Sequence, residues 1–188
     1  MGLSEKNNKW VFEDQPDQHI ISLLGNIPGR WGRMSPLSRL LIVETAYLLK
    51  EDGIFVRGQR LSETGQKIGL IGGTKRGSLR TDQEFIASMA DGPGLASPSL
   101  FGYTLPNIPL AEAASFFGLT GPVYAIFDTR NPLEKAVDEA RRLLLMQKKL
   151  TLMLACEFDH YDYRGQQEQL TVTITVVKHN ADHNSDLS

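Results

Sequence analysis

The chain has a single cysteine, Cys156, in 188 residues, so an intrachain disulfide framework is excluded and a reducing compartment is expected. Long hydrophobic runs are missing as well. None approaches the ~20 apolar residues that a membrane helix needs. The opening MGLSEKNNKW is polar and lacks an apolar core, which argues against a secretory signal. It also misses the N-myristoylation pattern, because Lys6 stands where Ser or Thr is required. Neither sign of charge dominates: 20 basic residues face 22 acidic ones, for a net charge of −2. That balance gives no general attraction to nucleic acid or to an anionic membrane, so neither is expected as a partner. Internal repeats and low-complexity tracts are absent. What is present is a hydrophobic fraction of 41% in a length that suits one domain, expected to be cytoplasmic.

Periodicity then divides the chain. NKWVFED suggests a short first strand around Trp10–Phe12. Gly25 to Pro36 is rich in glycine and proline and reads as loop. A helix follows, with Leu37, Leu40, Leu41, Glu44 and Leu48 in helical register, Pro36 at its start and Gly53 past its end. Ile68–Ile71 reads as a buried strand that exits into glycines, and Thr74 to Asn107 as a long irregular section. A helix is expected over Pro109–Phe117, closed by Gly118, and PVYAIFD is the next strand.

The clearest helix begins at Pro132. Leu133, Ala136, Val137, Ala140, Leu143 and Leu144 form its apolar stripe. Asn131 can cap it, Glu134 can reach back to the cap, and Asp138 can pair with Arg142. LTLMLACEF is apolar on both faces, so a central strand. LTVTITVV alternates Leu170, Val172, Ile174 and Val176 with threonines, so a strand with one wetter face. Alternating units imply a mostly parallel sheet with an antiparallel final pair.

Several stretches invite a chemical reading. GGTKRGS (Gly72–Ser78) resembles a phosphate loop but lacks the Lys-Ser/Thr pair and the glycine spacing, so a flexible strand exit is expected. EFDHYDY (Glu157–Tyr163) holds Asp159 and His160 after a central strand, and reads as an acidic, solvated turn between two strands. An enzyme built on Asp159 and His160 would lack a recognisable second catalytic group. HNADH (His179–His183) could bind metal adventitiously but lies in a polar tail. Cys156 lies in an apolar strand and behaves as a small hydrophobe. No metal or cofactor is expected. Between PVYAIFD and the clearest helix lies Asp128-Thr129-Arg130-Asn131-Pro132, where α/β enzymes often seat a nucleophile. Arg130 either points to water or joins the helix N-terminus in binding an anion.

Three segments, in order, resemble the N-terminal half of β-ketoacyl synthases, the condensing enzymes of fatty-acid and polyketide synthesis. They are LLIVETAYLLKEDGI, IGLIGGTKRGS and LPNIPLAEAASFFGLTGP, the last being the most specific, through Asn107, Ala113, Phe117, Gly118, Gly121 and Pro122. The resemblance covers roughly residues 36–178. It implies an α/β, thiolase-like half with a five-stranded mixed sheet and three main helices in the order βαβαβαββ. Residues 1–178 would be one domain and 179–188 a polar, disordered tail.

Two departures qualify the resemblance. The family's strand leads into D-T-A-C-S-S, whereas matching the helix spacing places Arg130 at the position of the acyl-accepting cysteine. The family's two catalytic histidines lie in a C-terminal half that this sequence does not include. The helix PLEKAVDEARRLLLMQKK (Pro132–Lys149) also carries Glu134, Lys135, Asp138, Glu139, Arg141 and Arg142. Burying such a charged face on both sides would be costly, so its outer side is expected to meet water or a polar partner.

The resemblance therefore implies a non-catalytic, chain-length-factor-like subunit. It would pair with an active β-ketoacyl synthase in a fatty-acid, polyketide or aryl-polyene-type pathway, with an acyl carrier protein involved indirectly. Asn107, Ile108, Leu110, Phe116, Phe117, Val123, Tyr124, Ile126 and Phe127 would form the interface or line the acyl tunnel. The alternative is a stand-alone homodimer of thiolase fold that binds an acyl or anionic ligand.

Overall fold

The computed structural model describes residues 11–55, 57–90, 92–163 and 167–179. Ten elements matter here: α1 (Gln18–Leu24), α2 (Pro36–Glu51), β1 (Ile68–Thr74), α3 (Leu79–Ala87), α4 (Pro98–Thr104), α5 (Asn107–Phe117), β2 (Val123–Phe127), α6 (Pro132–Met146), β3 (Leu152–Asp162) and β4 (Glu168–Val177). The strands form one sheet in the order β2-β1-β3-β4. β1 runs parallel to both β2 and β3, and β3 and β4 are antiparallel. The α/β class and the mixed sheet expected from the sequence are therefore present.

The sheet separates two apolar layers. On one face Leu41, Leu49, Phe117 and Phe158 join Ile68 and Leu70 in a core built with α2 and α5. On the other, Ala136, Ala140, Leu143 and Leu144 of α6 pack on Ile71, Met153 and Ala155. Alternation along β1 and β3 sends successive side chains to opposite layers, which is why both strands are apolar throughout. α6 reaches the sheet closely because Gly73 has no side chain. A Cβ there would lie 1.9 Å from the Pro132 carbonyl oxygen.

α2 is buried on nearly every side. Ser35 caps it by accepting from the Ser38 N–H at 3.2 Å, and Pro36 occupies its first turn. Arg39 on this helix is 4% exposed. Its guanidinium donates to the carbonyls of Trp31 (2.9 Å), Val11 (3.1 Å) and Glu13 (2.5 Å). These bonds explain one correction. The strand expected around Trp10–Phe12 does not form in its described part, because the carbonyls of residues 11 and 13 go to Arg39 rather than to a ladder. Trp10 itself lies outside the described residues. Among the described residues the sheet has four strands rather than five.

A second correction concerns Thr74 to Asn107, expected to be irregular. It holds α3, a single 3-10 turn at Pro93–Leu95, and α4. The signal was present: Ser97 caps α4 by accepting from the Leu100 N–H at 3.4 Å, and Pro98 opens it. The surrounding glycines masked that start. No helix among the described residues is long and apolar enough to cross a membrane.

Candidate functional site

The C-terminal ends of β1, β2 and β3 lie side by side, the edge where open α/β sheets carry ligands. Three of the sequence candidates meet there: the glycine-rich exit of β1, the β2–α6 loop, and the Asp159–His160 pair.

The β1 exit has the form of an anion cradle, and its occupant comes from within the chain. Asp159 Oδ1 accepts from the N–H groups of Arg76 (2.7 Å), Gly77 (2.8 Å) and Lys75 (3.2 Å), and from Thr74 Oγ1 (2.6 Å). Successive N–H groups that converge in this way suit an anion. Here the carboxylate of Asp159 fills the position that the resemblance to a phosphate loop suggested.

The reading of Glu157–Tyr163 as a solvated turn is overturned. β3 extends through Asp162 and remains paired with β4 to the end, Asp162 opposite Glu168. Asp159 and His160 are 4% and 2% exposed. His160 Nε2 is 2.6 Å from Glu168 Oε1, which places the ring proton on Nε2, and Nδ1 has no partner among the described residues. Burial pushes the His160 pKa down, with Glu168 opposing that shift. Adjacent strand residues point to opposite faces, so Asp159 and His160 do not form one catalytic pair. The continuing alternation of Cys156, Phe158 and His160 was the available signal for a longer strand.

The β2–α6 loop is organised by Asp128. Its Oδ1 accepts from the N–H groups of Asn131 (2.7 Å) and Arg130 (2.8 Å), which hold its pKa below the usual carboxylate range. The cap expected from the Asn131 side chain is absent: Asn131 Nδ2 donates instead to Glu134 Oε2 at 2.9 Å. Glu134 thus reaches the side chain of the cap residue rather than its N–H. Arg130 is exposed, and the N–H groups of Arg130 and Asn131 that could meet an anion are already taken by Asp128. Farther along α6, the expected Asp138–Arg142 pair is replaced by Arg142 with Glu139 (2.6 Å) and Arg141 with Asp138 (3.5 Å). The Arg142 and Tyr124 bonds to Glu139 bring its pKa down to about 2.

Among the described residues β2 is an edge strand. Pro122 O accepts from Leu70 N (2.9 Å) and Asp128 N donates to Thr74 O (3.0 Å), so the even-numbered positions face β1. By alternation the backbone groups of Val123, Ala125 and Phe127 face outward. One outward donor is covered: Asn107 Oδ1 accepts from Ala125 N at 2.7 Å. The other interface candidates disperse. Tyr124 donates to Glu139 and Ile126 packs toward α6, while Val123 packs on the α2–α5 side. Phe127 is 69% exposed. Leu110 and Phe117 are fully buried in this chain's own core, whereas Ile108 is half-buried. Phe116 is half-buried, edge-on to Phe117 at 4.9 Å, on a different side of α5 from β2.

Cys156 is fully buried, and burial pushes its thiol pKa far up, so it is inert. His179 Nε2 lies 2.9 Å from the Leu150 carbonyl oxygen, and the rest of HNADH lies outside the described residues. Among the described residues no group of three His, Cys, Asp or Glu side chains could hold a metal ion.

The model of the β-ketoacyl synthase N-terminal domain matches residues 6–130. No curated protein matches. The chain is similar to the solved ishigamide ketosynthase/chain length factor, with 19% identity and a TM-score of 0.64 over 87% of this chain and 49% of that one. It is similar to a β-ketoacyl synthase from Burkholderia phymatum STM815, with 17% identity and a TM-score of 0.55 over 73% of this chain and 33% of that one. It is also similar to the ketosynthase ApeO in complex with its chain length factor ApeC from Xenorhabdus doucetiae. There the identity is 13% and the TM-score 0.52, over 77% of this chain and 58% of that one. The chain thus spans from a third to less than two thirds of the matched chains, and at these identities the likeness is one of fold.

Proposed function

The chain belongs to the β-ketoacyl synthase family through its N-terminal domain, and from that premise we propose that it is a non-catalytic, chain-length-factor-like subunit. It pairs with an active β-ketoacyl synthase in a fatty-acid, polyketide or aryl-polyene-type pathway. The observation that carries this reading is the β2–α6 loop. Where the family seats its acyl-accepting cysteine, this loop offers Asp128, Thr129, Arg130 and Asn131. The chain's one thiol is sealed inside β3. No acyl-enzyme can form on this loop by the family's route.

What supports a partner is the outward edge of β2 with Phe127 at its end. An unpaired strand edge is a template for another chain, and soluble proteins normally cover or charge it. The charged outer face of α6 fits a helix that meets water or a polar partner. Ile108 is the candidate for influence on product length, since Leu110 and Phe117 are held in the core.

Co-expression with a ketosynthase from the same gene neighbourhood tests the reading. The two chains should co-elute in a 1:1 complex, and Phe127→Asp should release it while leaving this chain folded. A chain that forms a stable homodimer and ignores the ketosynthase would sink the proposal and favour the stand-alone ligand-binding alternative.

A further inference from the structure

On the side of α5 away from β2 lies a groove of about 380 Å³, within the range of small-molecule sites. Leu24, Ile27, Phe55 and Phe116 give it an apolar floor. Arg30 and Arg60 stand at its rim, and α5 holds both. Arg30 Nη2 donates to Glu112 Oε1 at 2.7 Å, and Arg60 Nη2 donates to the Ser115 carbonyl at 3.0 Å. Glu112 and Ser115 lie one helical turn apart, so the two guanidiniums are brought to the same stretch of groove. A guanidinium has five N–H donors, and these bonds take one from each.

The charged lining residues are two cations and one acid, so the groove is net positive. Glu112, its acidic lining residue, is already engaged by Arg30 and by the Tyr103 hydroxyl, which donates to it at 3.1 Å. Burial first, and then the charge of Glu112, push the Tyr103 pKa up to about 12, so its proton stays in that bond. Arg57 adds a third cation beside the groove, lying over Gly25. Guanidinium forks fixed before the ligand arrives bind planar or tetrahedral oxyanions at little ordering cost.

We propose that this groove binds an amphipathic anion: a carboxylate or phosphate monoester head on Arg30 and Arg60, with an aliphatic body along Ile27, Phe55 and Phe116. The site stands apart from the β2 edge and needs neither a partner nor a catalytic residue.

Calorimetric titration of the full chain tests it with four probes: octanoate, octyl phosphate, 1-octanol and inorganic phosphate. At least one of the two octyl anions should bind saturably at 1:1, and which of them binds identifies the head. Octanol and inorganic phosphate should each bind about tenfold more weakly or worse, since each lacks half of the recognition. The Arg30→Gln/Arg60→Gln double variant should lose about tenfold or more. Gln59→Trp, which fills the groove from its exposed rim and leaves both arginine contacts intact, should lose a similar amount. Absence of saturable binding, octanol binding as tightly as the anions, or a folded Gln59→Trp variant binding unchanged would each overturn the proposal.

Discussion

Replacing Asp159 with alanine removes the acceptor on which the β1 exit loop is built. Four donors converge on Oδ1, from Thr74 (2.6 Å), Arg76 (2.7 Å), Gly77 (2.8 Å) and Lys75 (3.2 Å). A hydrogen bond to a charged acceptor is worth roughly 1.5–3 kcal/mol, and neighbouring bonds to one atom are not additive. Some of the loss is recovered. Gly77 N keeps a second acceptor in Thr74 Oγ1 at 2.6 Å, and the loop is open enough for water to reach Lys75. The expected cost of Asp159→Ala is therefore about 3–4 kcal/mol, out of a typical total of roughly 5–15 kcal/mol. Asp159→Asn keeps an acceptor oxygen in place and should cost about 1–2 kcal/mol. Urea unfolding followed by circular dichroism reads both, with the alanine midpoint falling by about 1.5–2 M. The reasoning fails if alanine costs less than about 0.5 kcal/mol, the range of an ordinary surface change. It fails equally if asparagine is as damaging as alanine.

Burial lifts the Glu44 carboxyl from 4.5 to about 7. The folded chain then holds this proton more tightly than the unfolded chain, so stability falls as pH rises through that window. Glu44→Gln should match the wild type near pH 4.5 and exceed it by about 2–3 kcal/mol at pH 8, and a gap independent of pH would refute the assignment. Gly73→Ala places a methyl 1.9 Å from the Pro132 carbonyl oxygen and must displace the start of α6. A thermal-melt loss equivalent to about 3 kcal/mol is expected, and a neutral result would show that α6 does not sit there. Arg130→Cys should not create condensing activity, because the described histidines are engaged elsewhere: His19 with Tyr47, His160 with Glu168 and His179 with the Leu150 carbonyl. Condensation product above background by mass spectrometry would count against that.

Local patterns resolved much of the fold. The stripe of Ala136, Ala140, Leu143 and Leu144 marks a helix because one face must meet a sheet, and those residues are buried in α6. The threonine alternation of residues 170–176 marks β4, and proline and glycine bracket α2 as a helix. Two of the misreadings share a cause. A residue's destination depended on a partner remote in sequence: Val11 and Glu13 on Arg39, and Lys75 to Gly77 on Asp159. An acidic segment looks solvated until a neighbouring strand and a covering helix remove the water.

The same division holds at the site. From the sequence alone came the make-up of the β2–α6 loop, Asp128-Thr129-Arg130-Asn131 with no thiol, since side-chain identity needs no coordinates, together with the charged outer face of α6. Only the tertiary structure decided which groups are free. It assigned Leu110 and Phe117 to the core, placed Asn107 on the Ala125 N–H, and filled both apparent anion seats with Asp159 and Asp128. It also brought Arg30 and Arg60 to one groove through Glu112 and Ser115, from separate loops. Composition and periodicity report what a residue can do. Which hydrogen bonds it makes depends on distances that only packing sets.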